Sequence, residues 1–287
     1  MILVTGASGN LGTAVIANLL TKMSANKIAG LYRNVSKAQA FADKGIGILI
    51  GDYAHKASLA EALQGVEKLL LISSHGNDTL VEHKNMIDAA KEVGVRHIYY
   101  TSGALNKSVG QSQLGPLVDS YITTENYIIE SGMTFTIFQN GLYSETIPFF
   151  VGEHVPETGI YLPTGNGKAS FATRADMAEA IANVLAGEGH ENKIYVTTAL
   201  PSYSFADIAR ILSEISQKPV SYTSPDPSEY EMQLRKSGLD EGSIWYLLLL
   251  TAIIKNDEYE ISASDLEQLL GRKPTDLRQY LKETFLS

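Results

Sequence analysis

Three glycines at a spacing of three stand near the start of the chain: Gly6, Gly9 and Gly12, within the run Gly6-Ala7-Ser8-Gly9-Asn10-Leu11-Gly12. Glycines in this pattern let a backbone turn tightly, approach a pyrophosphate closely and pack a helix hard against a strand. The first helical turn beyond them offers unpaired N–H groups and a positive dipole end to phosphate. The run lies between the apolar segment Ile2 to Thr5 and a helical repeat from Leu11 to Lys22, which is the context such a phosphate site needs. Gly6, Ser8, Gly9, Asn10, Leu11 and Gly12 are therefore candidate cofactor contacts. A glycine-rich turn without a ligand is the plainer alternative.

The second strand ends Leu31-Tyr32-Arg33-Asn34, with Lys37 four residues beyond the arginine. NAD-binding domains place Asp or Glu there to accept from the ribose 2′-hydroxyl. A guanidinium instead suits a 2′-phosphate. Arg33 and Lys37 thus predict NADP(H) as the cofactor, against the alternative of an ordinary solvated arginine. Asp52 and Tyr53 follow the third strand and are placed to meet the adenine. Ser73 and Ser74 end the fourth strand, and Thr101 and Ser102 follow the fifth, all at the sheet edge where a nucleotide runs. Each also reads as an ordinary turn residue.

Ser102 and Tyr121 have the order of a dehydrogenase serine and tyrosine, but the residue four beyond Tyr121 is Glu125, not lysine. From Pro116 to Ser131 there is neither lysine nor arginine. A cation normally lowers the tyrosine pKa so that it can exchange a proton with an alkoxide, and a carboxylate does the reverse. Alcohol oxidation and sugar-nucleotide epimerisation are disfavoured on this ground. Direct hydride transfer to an electron-poor acceptor such as a quinone survives, because its reduced anion is delocalised and water can protonate it. Asn140 and Tyr143 are the candidate catalytic pair, although Asn140-Gly141 also reads as a simple turn. Tyr143, Phe149, Phe150 and Trp245 are candidate walls for a flat acceptor, with hydrophobic core the alternative for Phe150 and Trp245. The histidines His55, His75, His83, His97, His154 and His190 show no ligand spacing, so no metal site is expected. His75 follows the fourth strand, on a surface loop or facing the cleft.

The elements that must hold these residues alternate regularly. Strands are expected at 2–5, 27–32, 46–50, 68–73, 96–100 and 134–138, and helices at 11–22, 36–44 (capped by Ser36), 56–63, 82–93 and 116–131. Apolar strands alternating with amphipathic helices make βαβ units with right-handed crossovers. The fold class is α/β: a doubly wound parallel sheet of Rossmann type with a smaller, mostly helical C-terminal lobe. We expect residues 1–140 to form the nucleotide-binding domain and 141–287 the substrate or lid lobe, interleaved with it. In the second part, Thr173 to Asp176 reads as a capping box variant opening a helix through Leu185. A short strand is expected at 193–197 and strand-like sequence at 220–223. Helices are expected at 204–216 (capped by Ser204), 227–236, 241–255, 263–269 and 275–285.

Composition narrows the class further. The 287 residues, 44% hydrophobic and 19% charged, suffice for a sizeable core. A net charge of −9 argues against nucleic-acid binding. The absence of cysteine excludes disulfides, thiolate nucleophiles and cysteine-bound metal. No signal-like segment precedes the first strand, and the apolar run from Trp245 to Ile254 is too short to span a bilayer. A cytoplasmic protein without membrane attachment is expected, with a homodimer through the apolar helices near 245–254 as an option.

Taken together, Gly6 to Gly12, Arg33-Asn34, Gly51-Asp52-Tyr53, Gly65 to Ser73, Ala90 to Ser102 and Asn140 to Glu145 resemble the NmrA-like branch of the short-chain dehydrogenase/reductases. Gly165 to Lys168 and Thr173-Arg174 match in kind, so the resemblance spans nearly the whole chain. Within the branch it is nearest to the bacterial NADPH-dependent quinone oxidoreductases and triphenylmethane reductases. The resemblance implies a cleft lined by residues 6–12, Arg33, Ser73 and the loop from Asn140 to Tyr143, closed by the small lobe over the nicotinamide. Other members of the branch are redox sensors without turnover. Three readings result: an NADPH-dependent reductase of quinones or similar aromatic acceptors, an NADP(H) sensor, and, least favoured, a nucleotide-sugar epimerase.

Overall fold

Seven short, largely apolar runs lie side by side and parallel in one sheet. In chain order they are β1 (Ile2–Val4), β2 (Ile28–Tyr32), β3 (Gly47–Ile50), β4 (Lys68–Ile72), β5 (His97–Gly103), β6 (Thr134–Asn140) and an edge strand, Lys193–Thr197. Across the sheet the order is edge strand, β6, β5, β4, β1, β2, β3. The winding direction reverses between β1 and β4, and ligands of such sheets bind at that crevice. The computed structural model describes residues 1–34, 38, 41, 43–74, 78–106, 116–152 and 155–286. The expected helix at 36–44 with its Ser36 cap, Lys37 and His75 lie outside the described residues or largely so.

Successive strand residues face opposite sides of a sheet, and the buried residues divide accordingly. Val4, Leu70, Tyr99 and Phe138 join one core with Val15 and Ile16 of α1 (Asn10–Leu20). Leu3, Leu69, Leu71, Tyr100 and Ile137 join a second core on the other side. That side is covered by α2 (Lys56–Ala62), α3 (Thr79–Glu92) and α4 (Pro116–Glu130). Each fully buried leucine or isoleucine contributes about 1.5–3 kcal/mol over its exposed form, so two covered faces stabilise the sheet.

A third core forms the lobe, built around Phe150, Phe171, Phe205, Leu247, Leu250 and Ile253. The chain passes between these cores more than once. After β6 it enters the lobe, then returns with the helix Arg174–Ala186, which packs on α1. The edge strand follows, pairing with β6 from Lys193↔Thr136 to Thr197↔Asn140. Helices Phe205–Ser216, Pro227–Lys236 and Glu241–Lys255 then build the lobe, and Leu266–Leu270 returns to the α1 side.

Local caps set where these helices start. Thr173 Oγ1 accepts from the Asp176 N–H at 3.1 Å and donates to the Asp176 carboxylate at 3.0 Å. Ser204 and Asp207 form a reciprocal capping box, which satisfies two otherwise unpaired N–H groups. Among the described residues no helix is long and apolar enough to cross a membrane. Helix Glu241–Lys255 buries Leu247, Leu250, Ile253 and Ile254 within its own lobe, leaving Trp245 outside at 60% exposure.

Two strands run further than hydrophobicity predicts. β5 continues through Thr101, Ser102 and Gly103, and β6 through Gln139 and Asn140. Their in-register pairing, Ser102↔Gln139 and Gly103↔Asn140, sustains the ladder where the apolar pattern has ended. Helix α3 likewise begins at Thr79, ahead of the expected start at Glu82.

Candidate functional site

The turn after β1 delivers α1 to the sheet edge with an open amino end. Gly9 occupies the N-cap position and supplies no side-chain cap. The Gly9 N–H donates to the Gly6 carbonyl at 2.9 Å, which tightens the turn and leaves the N–H groups of the first helical turn unpaired. A Cβ at Gly12 would stand 2.3 Å from the Gly6 carbonyl oxygen. Only a residue without a side chain lets the helix approach that closely. Asn10 and Leu11 flank the same opening, and Ser8 is exposed on the turn.

Further along the edge, the Arg33 guanidinium lies 3.6 Å from the Glu82 carboxylate, with 68% of its side chain exposed. Asp52 is half-buried beside it, its carboxyl held below the usual range by the Ala54 N–H and by His55 at 2.8 Å. Tyr53 is half-buried, its phenol directed to the Thr5 hydroxyl and the Gly6 backbone, and burial pushes it up to about 12. The Ser74 hydroxyl donates to Glu82 at 3.2 Å. Thr101 is buried, and its Oγ1 accepts from the Ser73 N–H at 3.0 Å. It ties β4 to β5 instead of facing solvent.

A cleft of about 430 Å³ opens where these strand ends meet the lobe. Gly6, Gly9, Asn10, Leu11, Gly12, Ser73, Ser102, Asn140 and Tyr143 all line it. Ser8, Arg33, Asp52, Tyr53, Ser74 and Thr101 lie outside its walls. A second cavity of about 340 Å³, near Tyr203 and Lys273, shares no wall with the glycine turn.

Asn140 is held firmly. Its Oδ1 accepts from the Thr197 hydroxyl at 2.5 Å across the β6 edge pairing. The remaining amide N–H groups are then available to the Tyr143 phenol, which faces Asn140. Gly141 next to it has no room for a side chain: a Cβ would stand 2.2 Å from Thr198 Oγ1. The Arg174 guanidinium sits 4.5 Å over the Tyr143 ring, a cation–π contact. The Arg174 N–H donates to the Glu145 carboxylate at 3.0 Å, which anchors the helix start beside the cleft. Burial raises the Tyr143 phenol, and Arg174 opposes that rise.

Of the expected aromatic walls, Tyr143 is one. Phe150 belongs to the lobe core, edge-on to Phe205 at 5.4 Å between centroids. Trp245 points outward and lines neither the cleft nor the core. Phe149 is exposed and lies 6.1 Å from Tyr246. The walls that sequence reasoning misses include Arg174, Tyr246, Leu250, Ile253 and Tyr259. The Thr173 cap places Arg174 at a helix start, but nothing local says where that helix docks. Leu250 and Ile253 show the spacing of a buried helix face, with no sign of what it faces.

Tyr121 also lines the cleft, and one helical turn behind it lies Glu125, only 8% exposed. The Gln139 amide donates to both Glu125 oxygens, at 3.2 and 3.1 Å. Burial raises the pKa of both Tyr121 and Glu125. Among the described residues no cation near Tyr121 offsets this, and burial favours the protonated phenol. Among the described residues no cluster of three or more His, Cys, Asp or Glu is arranged to hold a metal.

Fold and site together define a dinucleotide-binding α/β protein: a parallel sheet with an uncapped, glycine-fronted helix end at its switch point, facing a tyrosine-lined cleft. The chain belongs to the NmrA-like family, whose model matches residues 1–281. It is 36% identical to quinone oxidoreductase 2 of Escherichia coli K12, over 99% of both chains. It is 26% identical to an NAD(P)H azoreductase of Xenophilus azovorans, over 98% of this chain and 97% of that one. The crystal structure of Citrobacter sp. triphenylmethane reductase complexed with NADP(H) superposes with a TM-score of 0.91 at 35% identity, covering 99% of this chain and all of that one.

Proposed function

We propose that this protein is an NADPH-dependent reductase that passes hydride to a flat, electron-poor aromatic acceptor such as a quinone. The observation that carries this reading is one continuous cleft: at one end the open helix terminus behind Gly6, Gly9 and Gly12, at the other Tyr121, Tyr143, Tyr246 and Tyr259. The named relatives support it, being reductases of quinones, azo compounds and triphenylmethane dyes that use NAD(P)H.

The residues present fit the cofactor. The unpaired N–H groups of α1 suit a pyrophosphate, and the missing Cβ at Gly12 permits the close approach. Arg33 is exposed where a 2′-phosphate would be bound, with Asp52 and Tyr53 on the adenosine side. Bound there, the nicotinamide would supply the hydride. Asn140 would then hold the carboxamide or an acceptor carbonyl through its amide N–H groups, fixed in orientation by Thr197. The tyrosines would stack on the acceptor and exclude water, raising rate by proximity and orientation. Tyr121, with its raised pKa and Glu125 in place of a lysine four residues on, is a poor base, which disfavours epimerase chemistry. A diffusible small-molecule substrate and a cytoplasmic location belong to the same reading. So does the option of a homodimer, for which the outward Trp245 is the apolar surface left on its helix.

The test follows NADPH absorbance at 340 nm with purified protein and a panel of benzoquinones and naphthoquinones, with NADH in parallel. Quinone-dependent loss with NADPH, slower with NADH, is the expected result. Tight NADPH binding without turnover on any acceptor would overturn the reductase in favour of a sensor.

A further inference from the structure

We propose that Glu125, acting through the Ser102 hydroxyl, delivers the proton that must follow hydride into acceptors whose reduced form is a basic anion. The inference rests on the reductase reading and extends it to the proton.

The placement comes from two periodicities. Ser102 and Gln139 are cross-strand partners on the sheet face that α4 covers, in line with Tyr100 and Ile137 of the core beneath that helix. On α4, Tyr121 and Glu125 are one turn apart and share a face. Tyr121 reaches the cleft, and Glu125 lies behind Ser102, which also lines the cleft. The Ser102 oxygen is buried beside the Glu125 carboxyl and forms no well-aligned hydrogen bond among the described residues, so its hydroxyl can turn between that carboxyl and the cleft. Glu125 meets neutral groups: Gln139 from β6, Ser102 and Tyr100 from β5, and Tyr121 from its own helix. From α3, His83 lies edge-on to Tyr100 at 5.5 Å, with its Nδ1 3.0 Å from Thr124 Oγ1. A carboxyl buried among neutral groups favours its protonated form, and burial does raise this one. The Ser102 and Gln139 hydrogen bonds oppose that rise, and the position that holds the activating lysine in typical dehydrogenases of this fold thus holds a buried carboxyl able to carry a proton.

The step balances. Hydride reaches the quinone and leaves one negative charge on its oxygen. The Ser102 O–H bond breaks and a new O–H bond forms on that oxygen. The Glu125 carboxyl proton moves to Ser102 Oγ as its own O–H bond breaks. Glu125 is left as a carboxylate, to be reprotonated from solvent. Net uptake is one hydride and one proton.

Two acceptors separate the proton from the hydride. Malachite green is a cation that takes hydride on carbon and yields a neutral product, so it needs no proton. Tetramethyl-1,4-benzoquinone yields a basic anion and needs one. The readout is the ratio of kcat with the quinone to kcat with the dye, across pH, for the wild type, Glu125→Gln and Ser102→Ala. We expect the ratio to fall about tenfold or more in each variant. In the wild type it should fall as pH rises through the raised Glu125 pKa, and in Glu125→Gln that slope should vanish. Equal loss on both acceptors, or no loss on either, would overturn the relay, the former marking a structural role. Should Glu125→Gln not fold, the Ser102→Ala ratio decides alone. NADPH oxidation with neither acceptor in the wild type would defeat the reductase reading and the relay with it. A wild type that turns over both, with variants of unchanged ratio, would defeat the relay alone.

Discussion

Two walls face each other across the cleft, and they are made differently. The first is the turn from Gly6 to Gly12: seven consecutive residues that open onto the uncapped, backbone N–H end of α1. The second gathers Asn140, Tyr143, Arg174, Tyr246 and Tyr259, spread over about 120 positions and working through side chains. The first wall depends on what is absent, a Cβ at Gly12. The second depends on what is fixed, an amide held by Thr197 and a ring held under Arg174. A backbone wall tolerates almost no substitution at its glycines, and a side-chain wall should lose function piece by piece.

The largest effect that would test this contrast is Gly12→Val. Its Cβ would collide with the Gly6 carbonyl, a backbone atom that cannot swing aside. Overpacking of this kind costs about 1–3 kcal/mol, so NADPH affinity by calorimetry should fall about ten- to hundredfold. Full affinity in a folded variant would break the contrast. Gly141→Ala is the counterpart on the second wall, where the clash is with Thr198. Here we expect about 1–3 kcal/mol of lost stability in thermal or urea unfolding, with the acceptor KM changed more than NADPH affinity. Arg33→Ala should act more weakly, because the guanidinium is mostly exposed and a charge contact there is screened. A loss of about tenfold in NADPH affinity with NADH affinity unmoved is expected. Equal loss for both nucleotides would remove Arg33 from the 2′-phosphate.

The smallest effect concerns the scaffold that both walls share. His97 stacks on Tyr99 at 4.0 Å and meets Thr136 at 2.8 Å, and burial lowers its pKa to about 4. The unfolded chain, with an ordinary histidine pKa near 6.5, takes up this proton first as pH falls. The stability from neutral His97 is therefore full above about 6.5 and declines toward 4. Asp176 acts in the same direction at lower pH. Burial pushes its carboxyl up, but the Thr275 N–H at 2.7 Å and the Arg272 guanidinium hold it lower still. Melting temperature should fall between pH 6.5 and 4, and His97→Gln should flatten that slope. A flat wild-type profile would count against it.

The same division governs what is legible in the sequence. The βαβ alternation, the glycine turn and the caps at Thr173 and Ser204 are visible because each depends on neighbours a few residues apart. The ends of β5 and β6 are read short, because Thr101, Ser102, Gln139 and Asn140 break the apolar pattern. They are polar because the cleft begins there. Phe150 and Trp245 show the limit from the other side. Both are large and aromatic, yet one is core and the other exposed, and no local pattern distinguishes them from Tyr246.

By itself the sequence determined the fold class, the glycine turn between the first strand and helix, and the absence of a lysine four residues after Tyr121. All three rest on residue type and short-range spacing, which the chain carries in any conformation. Only the tertiary structure decided that Arg174 caps the Tyr143 ring, that Tyr246 and Tyr259 close the cleft, and that Glu125 lies behind Ser102. Those contacts join segments far apart in the chain, and they exist because burying separate apolar faces brings the segments together.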